Sequence, residues 1–127
     1  MDNSTVITEF CASWATRDID TIMAFFAEDA VYYNIPMEPP NQGAAQIRAV
    51  IEQFMTDPEE VEFKIHHQAE NADGVVMNER TDTFSFGDHT ITMRVMGVFE
   101  LDAGKITAWR DYFDLNQYLS QLPASSD

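Results

Sequence analysis

The sequence has a single cysteine, few basic residues and no long apolar run, and each scarcity excludes a class of protein. With Cys11 as its one thiol the chain cannot form an internal disulfide, which suits a reducing compartment and predicts a cytoplasmic location. Seven basic residues against 22 acidic ones give a net charge of −15, which disfavours nucleic acid and anionic membranes as partners. No apolar run approaches the roughly 18 residues of a membrane span, and residues 1–5 are too polar to begin a signal peptide.

Several motifs that would carry chemistry are also missing from the sequence. It has no Cys/His spacing typical of a metal site, no Gly-rich phosphate loop and no Gly-x-Ser-x-Gly motif. His66 and His67 are adjacent on a predicted strand and therefore face opposite sides, so they cannot bind a metal as a pair. We therefore expect no cofactor, no metal and no seryl intermediate. Cys11 lies in an apolar helical pattern and is interpreted as a buried structural thiol.

What the sequence does contain is a helical first half and a strand-rich second half. Hydrophobic spacings of three, four and seven predict a helix over 5–15 and a second one that begins at an Asp18 N-cap and carries Ile22, Phe25 and Phe26. A strand is predicted at 30–35, a proline-containing loop at 36–42 and a third helix at 44–55. The period then changes to two over 60–69, 73–86, 89–102 and 105–114. Asp114 is predicted to cap a last helical segment at 115–122, before a polar tail, 125–127, that we expect to fray.

This order predicts one α+β domain that spans residues 1–127. The length suffices for a single hydrophobic core with a small internal pocket, and the sequence has no repeats or linkers. Long strands joined by short turns predict a curved antiparallel sheet that wraps around the pocket, with three to four N-terminal and flanking helices over its mouth or back.

Polar and charged side chains recur on strand faces that also carry large apolar residues. Side chains of equal parity share a face of a strand. The groups that share a face in this way are Arg80, Asp82 and Phe84; Trp109, Asp111 and Phe113; and Tyr32 with Asn34. A buried charge needs a partner, because burying an isolated ion destabilises the folded state by roughly several kcal/mol. Taken alone, the arginine and the two aspartates fit either a structural ion-pair network or an acid/base site.

Four segments together resemble the limonene-1,2-epoxide hydrolase family in order and spacing, over about Phe10 to Leu115. They are Tyr32-Tyr33-Asn34-Ile35-Pro36, Glu79-Arg80-Thr81-Asp82, Gly97-Val98-Phe99-Glu100-Leu101 and the segment 104–114, which contains Trp-Arg-Asp-Tyr-Phe-Asp. The resemblance implies a cone-shaped α+β fold with a mixed or antiparallel sheet, related to the nuclear transport factor 2 and ketosteroid isomerase folds. It also implies a homodimer.

The same resemblance implies a cofactor-independent epoxide hydrolase and assigns a role to each motif residue. Asp111 would be the general base on water, and Asp82 the general acid toward the epoxide oxygen. Arg80 would lie between them, and Tyr32 and Asn34 would hold the attacking water. The implied substrate is a small apolar epoxide of terpenoid, alicyclic or aryl type, which water converts to a vicinal diol.

An apolar pocket would complete such a site, and strand parity suggests part of its lining. The residues we expect there are Met77, Phe84, Met93, Val95, Trp109 and Phe113, although Met77 has the opposite parity from Arg80 and Asp82. Two rival functions remain open on the same fold. One is a ketosteroid-isomerase-like proton shuttle, which would not need Arg80 beside the acid. The other is a non-catalytic lipophile-binding or dimerisation module, for which the carboxylates would not matter.

Overall fold

The computed structural model describes residues 2–122, which form four α-helices and six strands. The helices are α1 (Asn3–Ser13), α2 (Ile19–Met23), α3 (Ala44–Thr56) and α4 (Leu115–Leu119), and a 3₁₀ turn at Trp14–Thr16 follows α1. The strands are β1 (Phe26–Ile35), β2 (Asn41–Gln42), β3 (Glu60–Glu70), β4 (Val76–Ser85), β5 (Thr90–Asp102) and β6 (Lys105–Tyr112). The predicted fraying of 125–127 lies outside the described residues.

Aspartate side chains cap three of these helices. Asp2 accepts a hydrogen bond from the backbone N–H of Thr5, and so begins α1. Asp18 and Asp114 accept from the backbone N–H groups two residues further on, as their positions before α2 and α4 predict. Each carboxylate satisfies a free N–H of a first turn and complements the positive end of the helix dipole.

The prediction for the second helix was wrong at its C-terminal end. Helix α2 stops at Met23, and Phe26 instead begins β1, four residues before the predicted start of that strand. The cause is tertiary pairing: Phe26 is the register partner of Ile106 on β6, and the Ile106 N–H donates to the Phe25 carbonyl. A local helical spacing of apolar residues thus gave way to pairing with a strand far along the chain.

The six strands form one mixed sheet in the order β2-β1-β6-β5-β4-β3. All neighbours are antiparallel except β1 and β6, which run parallel. Helix α1 packs against β3 and β4, and α3 packs against β1, which gives the predicted α+β arrangement. Within 2–122, every helix is too short to cross a bilayer as an apolar span.

Phe10 of α1 is the centre of an aromatic core on the inner face of the sheet. Its ring makes edge-to-face contacts, at centroid distances of 5.1 to 6.2 Å, with Trp14, Phe25, Phe26, Phe99 and Trp109. Such contacts add to the stabilisation from burial and fix ring orientation. The core therefore holds Trp109, which the site also uses, in one position.

Beyond the end of β6, one edge of β5 has no partner strand, and helix α4 with the turn that follows it covers this edge. The Gln121 side chain donates to the Thr92 carbonyl and accepts from the Thr92 N–H, and Gln117 accepts from the Arg94 N–H. These side chains satisfy backbone groups that an open edge would leave unpaired. They also fix the backbone on both sides of Met93.

Candidate active site

One row of register partners crosses five strands of the sheet and carries the site. From β1 to β3 it consists of Asn34, Asp111, Gly97, Asn78 and Gln68, each the partner of the next across a strand boundary. We call these five residues the polar row. Arg80 and Asp82 occupy the next two inward positions along β4, so parity and register together bring the five sequence-predicted polar residues to one region of the inner face.

Arg80 lies at the centre of this region with all five of its N–H donors hydrogen-bonded. Nε and Nη2 donate to the two carboxylate oxygens of Asp82, at 3.0 and 2.8 Å. Nη1 and Nη2 donate to the two oxygens of Asp111, at 3.2 and 2.8 Å. The fifth bond runs from Nη1 to the side-chain oxygen of Asn78, at 3.0 Å. The guanidinium therefore engages each carboxylate through two bonds, the arrangement its planar fork favours.

Gly97 makes room for this guanidinium. A Cβ at position 97 would overlap Arg80 Nη1 and would lie 2.8 Å from the Asp111 Oδ1. Gly97 lies on β5 between Asp111 of β6 and Asn78 of β4. Because it has no side chain, the Arg80 side chain can cross β5 and reach from β4 to β6. Gly97 was noted in the sequence as part of a motif, but its steric role becomes visible only with the register.

The arginine is enclosed by aromatic rings as well as carboxylates. Its guanidinium carbon lies 5.1 Å from the centroid of the Phe63 ring and 5.9 Å from those of Phe99 and Trp109. The Arg80 side chain has no accessible surface, and those of Asp82 and Asp111 retain 7% and 5%. In such a buried environment each charge interacts strongly with its neighbours and depends on them to offset its lost hydration.

Burial changes the protonation of both carboxyl groups in the same direction. Desolvation raises the pKa of Asp111 to about 6, against the opposing effect of Arg80 and with a smaller contribution from the charge of Asp82. Desolvation likewise raises the pKa of Asp82 above the usual 3.8, again against Arg80. The pair therefore retains a proton at a pH at which ordinary aspartates are fully ionised.

Hydrogen bonds distinguish the two carboxylates from each other. Asp111 accepts a third bond, from the indole N–H of Trp109 to Oδ1 at 2.6 Å, in addition to the two from Arg80. Asp82 accepts from Arg80 alone among the contacts of the described residues. Because donors stabilise the ionised form, the additional bond favours negative charge on Asp111.

Tyr32 and Asn34 lie beside Asp111 because β1 runs parallel to β6. Tyr32 is the register partner of Trp109 and stacks on it, with centroids 4.0 Å apart and an interplanar angle of 10°. The Tyr32 hydroxyl donates to the Asn34 Oδ1 at 2.9 Å. Burial raises the pKa of Tyr32 well above its usual value of 10, so the hydroxyl keeps its proton.

These polar groups open onto a largely apolar cavity of about 460 Å³. Tyr32, Asn34, Asp82 and Asp111 contribute to its wall. Four of the residues expected to line a pocket do so, namely Phe84, Met93, Val95 and Phe113. A cavity of this size, with an apolar wall and a few convergent polar groups, has the character of a small-molecule site.

Met77 and Trp109 were expected in the pocket, and both lie outside its lining. Met77 has the opposite parity from Asn78 and Arg80, so it projects from the other face of β4. Trp109 is covered by the Tyr32 ring on one side and stacks with Phe99, 5.6 Å away. It contributes instead the hydrogen bond to Asp111, a role that the shared parity of two residues in Trp-Arg-Asp could have suggested.

Cys11 is buried, as predicted, and lies beside Asn78 of the polar row. Desolvation raises the pKa of its thiol to about 12, so the sulfur stays protonated. Its Sγ lies 3.8 Å from the side-chain nitrogen of Asn78. Among residues 2–122, the His, Cys, Asp and Glu side chains form no group of three that could hold a metal ion.

Comparison with known proteins places the chain in a family. A family model for the limonene-1,2-epoxide hydrolase catalytic domain matches residues 1–124. The chain is 36% identical over 110 residues to the epoxide hydrolase EphG of Mycobacterium tuberculosis, a match that covers 86% of this chain and 71% of EphG.

Solved structures show the same relationship at the level of the fold. An LEH-like epoxide hydrolase from M. tuberculosis superimposes with a TM-score of 0.82 at 30% identity, covering 94% of this chain and 88% of that one. A protein with a ketosteroid isomerase-like fold from Catenulispora acidiphila gives a TM-score of 0.80 at 20% identity, over 93% of each chain, and so shares the fold. The predicted fold class is confirmed, and the chain belongs to the limonene-1,2-epoxide hydrolase family.

Proposed function

We propose that this epoxide hydrolase adds water to a small apolar epoxide in one step, without a covalent intermediate or a cofactor, and releases a vicinal diol. The observation that carries the proposal is a pair of buried carboxylates, bridged by one arginine, on the wall of an apolar cavity. Neutral water is a weak nucleophile and an alkoxide is a poor leaving group. The reaction therefore benefits from a base on the water and an acid on the epoxide oxygen at the same time.

Asp111 is the base in this mechanism, and Tyr32 and Asn34 hold the water beside it. The Tyr32 hydroxyl donates its hydrogen bond to Asn34 Oδ1, so the hydroxyl oxygen can accept a hydrogen bond from water. The side-chain nitrogen of Asn34 can donate a hydrogen bond to the same water. A water that donates to Asp111 and to Tyr32 and accepts from Asn34 keeps one lone pair for the epoxide carbon. These three partners would thus orient the water as well as activate it.

Asp82 is the acid. The single positive charge of Arg80 offsets one of the two carboxylates, so the buried set is best satisfied with one proton on the pair. We assign that proton to Asp82, as the family resemblance implies; the Trp109 hydrogen bond, which favours the ionised form of Asp111, supports this assignment, whereas desolvation, which raises the pKa of Asp111 to about 6, opposes it. As water attacks carbon and the C–O bond breaks, Asp82 gives its proton to the departing oxygen and Asp111 takes one from the water. The pair ends with one proton, as it began.

The cavity supports a neutral, apolar substrate. Phe84, Met93, Val95 and Phe113 supply apolar surface, and the volume of about 460 Å³ suits a terpenoid, alicyclic or aryl epoxide. Glu38 and Asp57 also line the cavity and add negative charge. Together with the net charge of −15, they disfavour an anionic epoxide.

The rival functions receive less support from this geometry. A ketosteroid-isomerase-like reaction needs a Tyr and a protonated Asp to donate together to an oxyanion, but here the Tyr32 proton is engaged by Asn34. Such a reaction also has no use for Arg80 between two carboxylates. A binding module would gain nothing from buried charges, whose desolvation it would have to offset.

The quaternary structure implied by the family belongs to the same proposal. Met96 and Tyr112 are register partners on the outer face of the sheet, and they are 48% and 44% exposed. We propose that this face joins two copies of the chain, which we place in the cytoplasm as a single-domain enzyme. A contact with a second copy would cover these two adjoining apolar side chains.

The first test replaces the base. We expect Asp111→Asn to lower kcat/KM for diol formation by roughly 10² to 10⁴-fold or more, because the amide cannot take a proton from water. The fold should persist, since the amide keeps the shape and Asp82 still pairs with Arg80. Diol formation from a panel of cyclic and terpenoid epoxides, with chelator present, measures the effect. Asp29→Asn, at an exposed site on β1, is the matched control. Activity that survives in Asp111→Asn would remove Asp111 as the base.

The one-step mechanism makes an isotopic prediction. In a single turnover in ¹⁸O-water, the oxygen added to the epoxide comes from solvent, so the diol should carry the label and the protein should not. Mass spectrometry of diol and of digested protein measures both. Label in an aspartate, with an unlabelled first-turnover diol, would instead indicate an ester intermediate.

The shared proton predicts a bell-shaped pH dependence. Because burial raises the pKa of both carboxyls, that of Asp111 to about 6, we expect kcat/KM to peak above the usual aspartate range, at a pH between the two pKa values of the coupled pair. At lower pH both groups are protonated and no base remains. At higher pH the shared proton is lost and no acid remains. A profile measured from about pH 4 to about pH 9 that rises throughout would contradict the shared proton.

The interface also makes a prediction. Light scattering should give the mass of two chains for the wild type, and Met96→Glu should shift it toward one chain because a charge would be buried against the partner copy. Glu9→Gln, at an exposed position on α1 away from the outer face of the sheet, serves as a control. A wild-type protein that stays monomeric at all concentrations would exclude the dimer.

A further inference from the structure

Asn78 touches the catalytic arginine without being exposed to the cavity. It is 1% exposed, and the cavity wall does not include it. Its side-chain oxygen accepts the fifth N–H of Arg80 at 3.0 Å. Its side-chain nitrogen donates to the Gln68 oxygen at 3.1 Å. It thus links the guanidinium to the half-buried amide of Gln68.

Gln68 continues this chain of hydrogen bonds to helix α1. Its side-chain nitrogen donates to the Ser4 carbonyl at 3.0 Å, the Ser4 hydroxyl at 2.8 Å and the Thr8 hydroxyl at 3.0 Å. A β-bulge at position 66 turns Gln68 to the inner face, where it is the register partner of Asn78. Two amide side chains therefore connect the first turns of α1 to the catalytic site.

The two ends of this chain fix the orientation of both amides. A backbone carbonyl can only accept, so Gln68 must present its nitrogen to Ser4 and its oxygen to Asn78. A guanidinium can only donate, so Asn78 must present its oxygen to Arg80 and its nitrogen to Gln68. Neither amide can flip without placing two donors or two acceptors against each other.

We propose that Asn78 is a positioning residue for epoxide opening: locked by Gln68, its neutral oxygen holds the guanidinium of Arg80 level with both carboxylates. The proposal rests on the function proposed above. An apolar residue at 78 would leave a buried N–H unsatisfied and would let the guanidinium tilt away from Asp111. A carboxylate at 78 would keep the acceptor but add a second excess negative charge to the site.

The charged neighbours of Asn78 decide how a variant would respond to pH. The titratable groups that face it are Arg80 and Asp82 from β4, Asp111 from β6 and Cys11 from α1. Arg80 stays charged, and the Cys11 thiol, whose pKa burial raises to about 12, stays neutral. A change in the pH profile of an Asn78 variant therefore reports the carboxyl groups of the site, to which Asn78→Asp adds a third.

Two near-isosteric substitutions separate positioning from simple packing. For Asn78→Leu we expect kcat to fall by about 10- to 100-fold at every pH, with KM changed less than about twofold because Asn78 does not line the cavity. For Asn78→Asp we expect kcat to be largely retained, with the pH optimum raised by about one unit because the added charge disfavours ionisation of the pair. If Asn78 had a merely structural role, both variants would be less stable or less active, and neither would show a shift in the pH dependence of kcat.

Gln68→Met tests the lock from the other end and does not depend on how Asn78 variants fold. Without Gln68, the Asn78 nitrogen loses its acceptor and the amide can rotate out of line with Arg80, so kcat should fall several-fold while the pH optimum stays in place. Asn116→Leu and Asn116→Asp, at an exposed asparagine of α4 outside the cavity wall, repeat the same changes as controls and should leave activity unchanged.

A readout in the resting protein separates this proposal from the catalytic one. The ¹⁵N spectrum of the Arg80 guanidinium and the ¹³C titration of the Asp111 and Asp82 carboxyls report positioning without substrate. Asn78→Leu should change the Nη1 resonance, and Asn78→Asp should raise the carboxyl titration. If the wild type opens no epoxide, the proposed function fails while these spectra still decide the role of Asn78. Unchanged spectra in Asn78→Leu, Asn78→Asp and Gln68→Met, or unchanged kcat in an active enzyme, would overturn the proposal.

Discussion

The site depends on one constraint, which is that the charge of Arg80 lies in the core with no accessible surface. A buried guanidinium is tolerated when its donors are satisfied and its charge is offset, and the local structure supplies both conditions. Two carboxylates take four of the five hydrogen bonds and Asn78 takes the fifth. Gly97 provides the space in which these groups meet. The strand register that aligns Asn34, Asp111, Gly97 and Asn78 therefore places the partners and the space that the buried arginine needs. The cavity lies next to this arrangement, with Asp82 and Asp111 in its wall.

The charge balance of this set links its stability to its chemistry. One positive and two negative groups leave an excess negative charge when both carboxyls are ionised, and burial makes that state costly, which is why both pKa values rise. A proton held between two carboxylates is also what a concerted acid and base require. The feature that would count as a defect in a purely structural ion pair is thus a useful property in an enzyme. In the proposed mechanism, a substitution that replaces one carboxylate by a neutral group would balance the charge but remove the acid or the base, so activity would fall even if every other contact were preserved.

Sequence reasoning could reach the five polar residues of the site but not the way they are held. Parity predicts that Arg80 and Asp82 share a face, and that Tyr32 and Asn34 do, because alternation is a property of a single strand. Which strands are neighbours is not a local property: the parallel pairing of β1 with β6 sets Asn34 beside Asp111, and it also takes Phe26 out of the predicted helix. Trp109 was assigned to the pocket because an aromatic residue on an inward face has no visible partner in the sequence. Gln68 was missed because the bulge at position 66 changes the parity of β3 after Ile65.

The fold of this chain does not by itself fix its chemistry. A protein with a ketosteroid isomerase-like fold superimposes almost as well as an LEH-like epoxide hydrolase does, at 20% against 30% identity, so the curved sheet and its helices leave the chemistry open. In the proposed function, the chemistry depends on the polar side chains that adjacent strands bring together on the inner face of the sheet. A neutral amide at Asn78, and not a third carboxylate, keeps the excess charge at one when both aspartates are ionised. In the proposed mechanism, the number of protons that the two aspartates share then depends on Asn78, which lies outside the cavity wall.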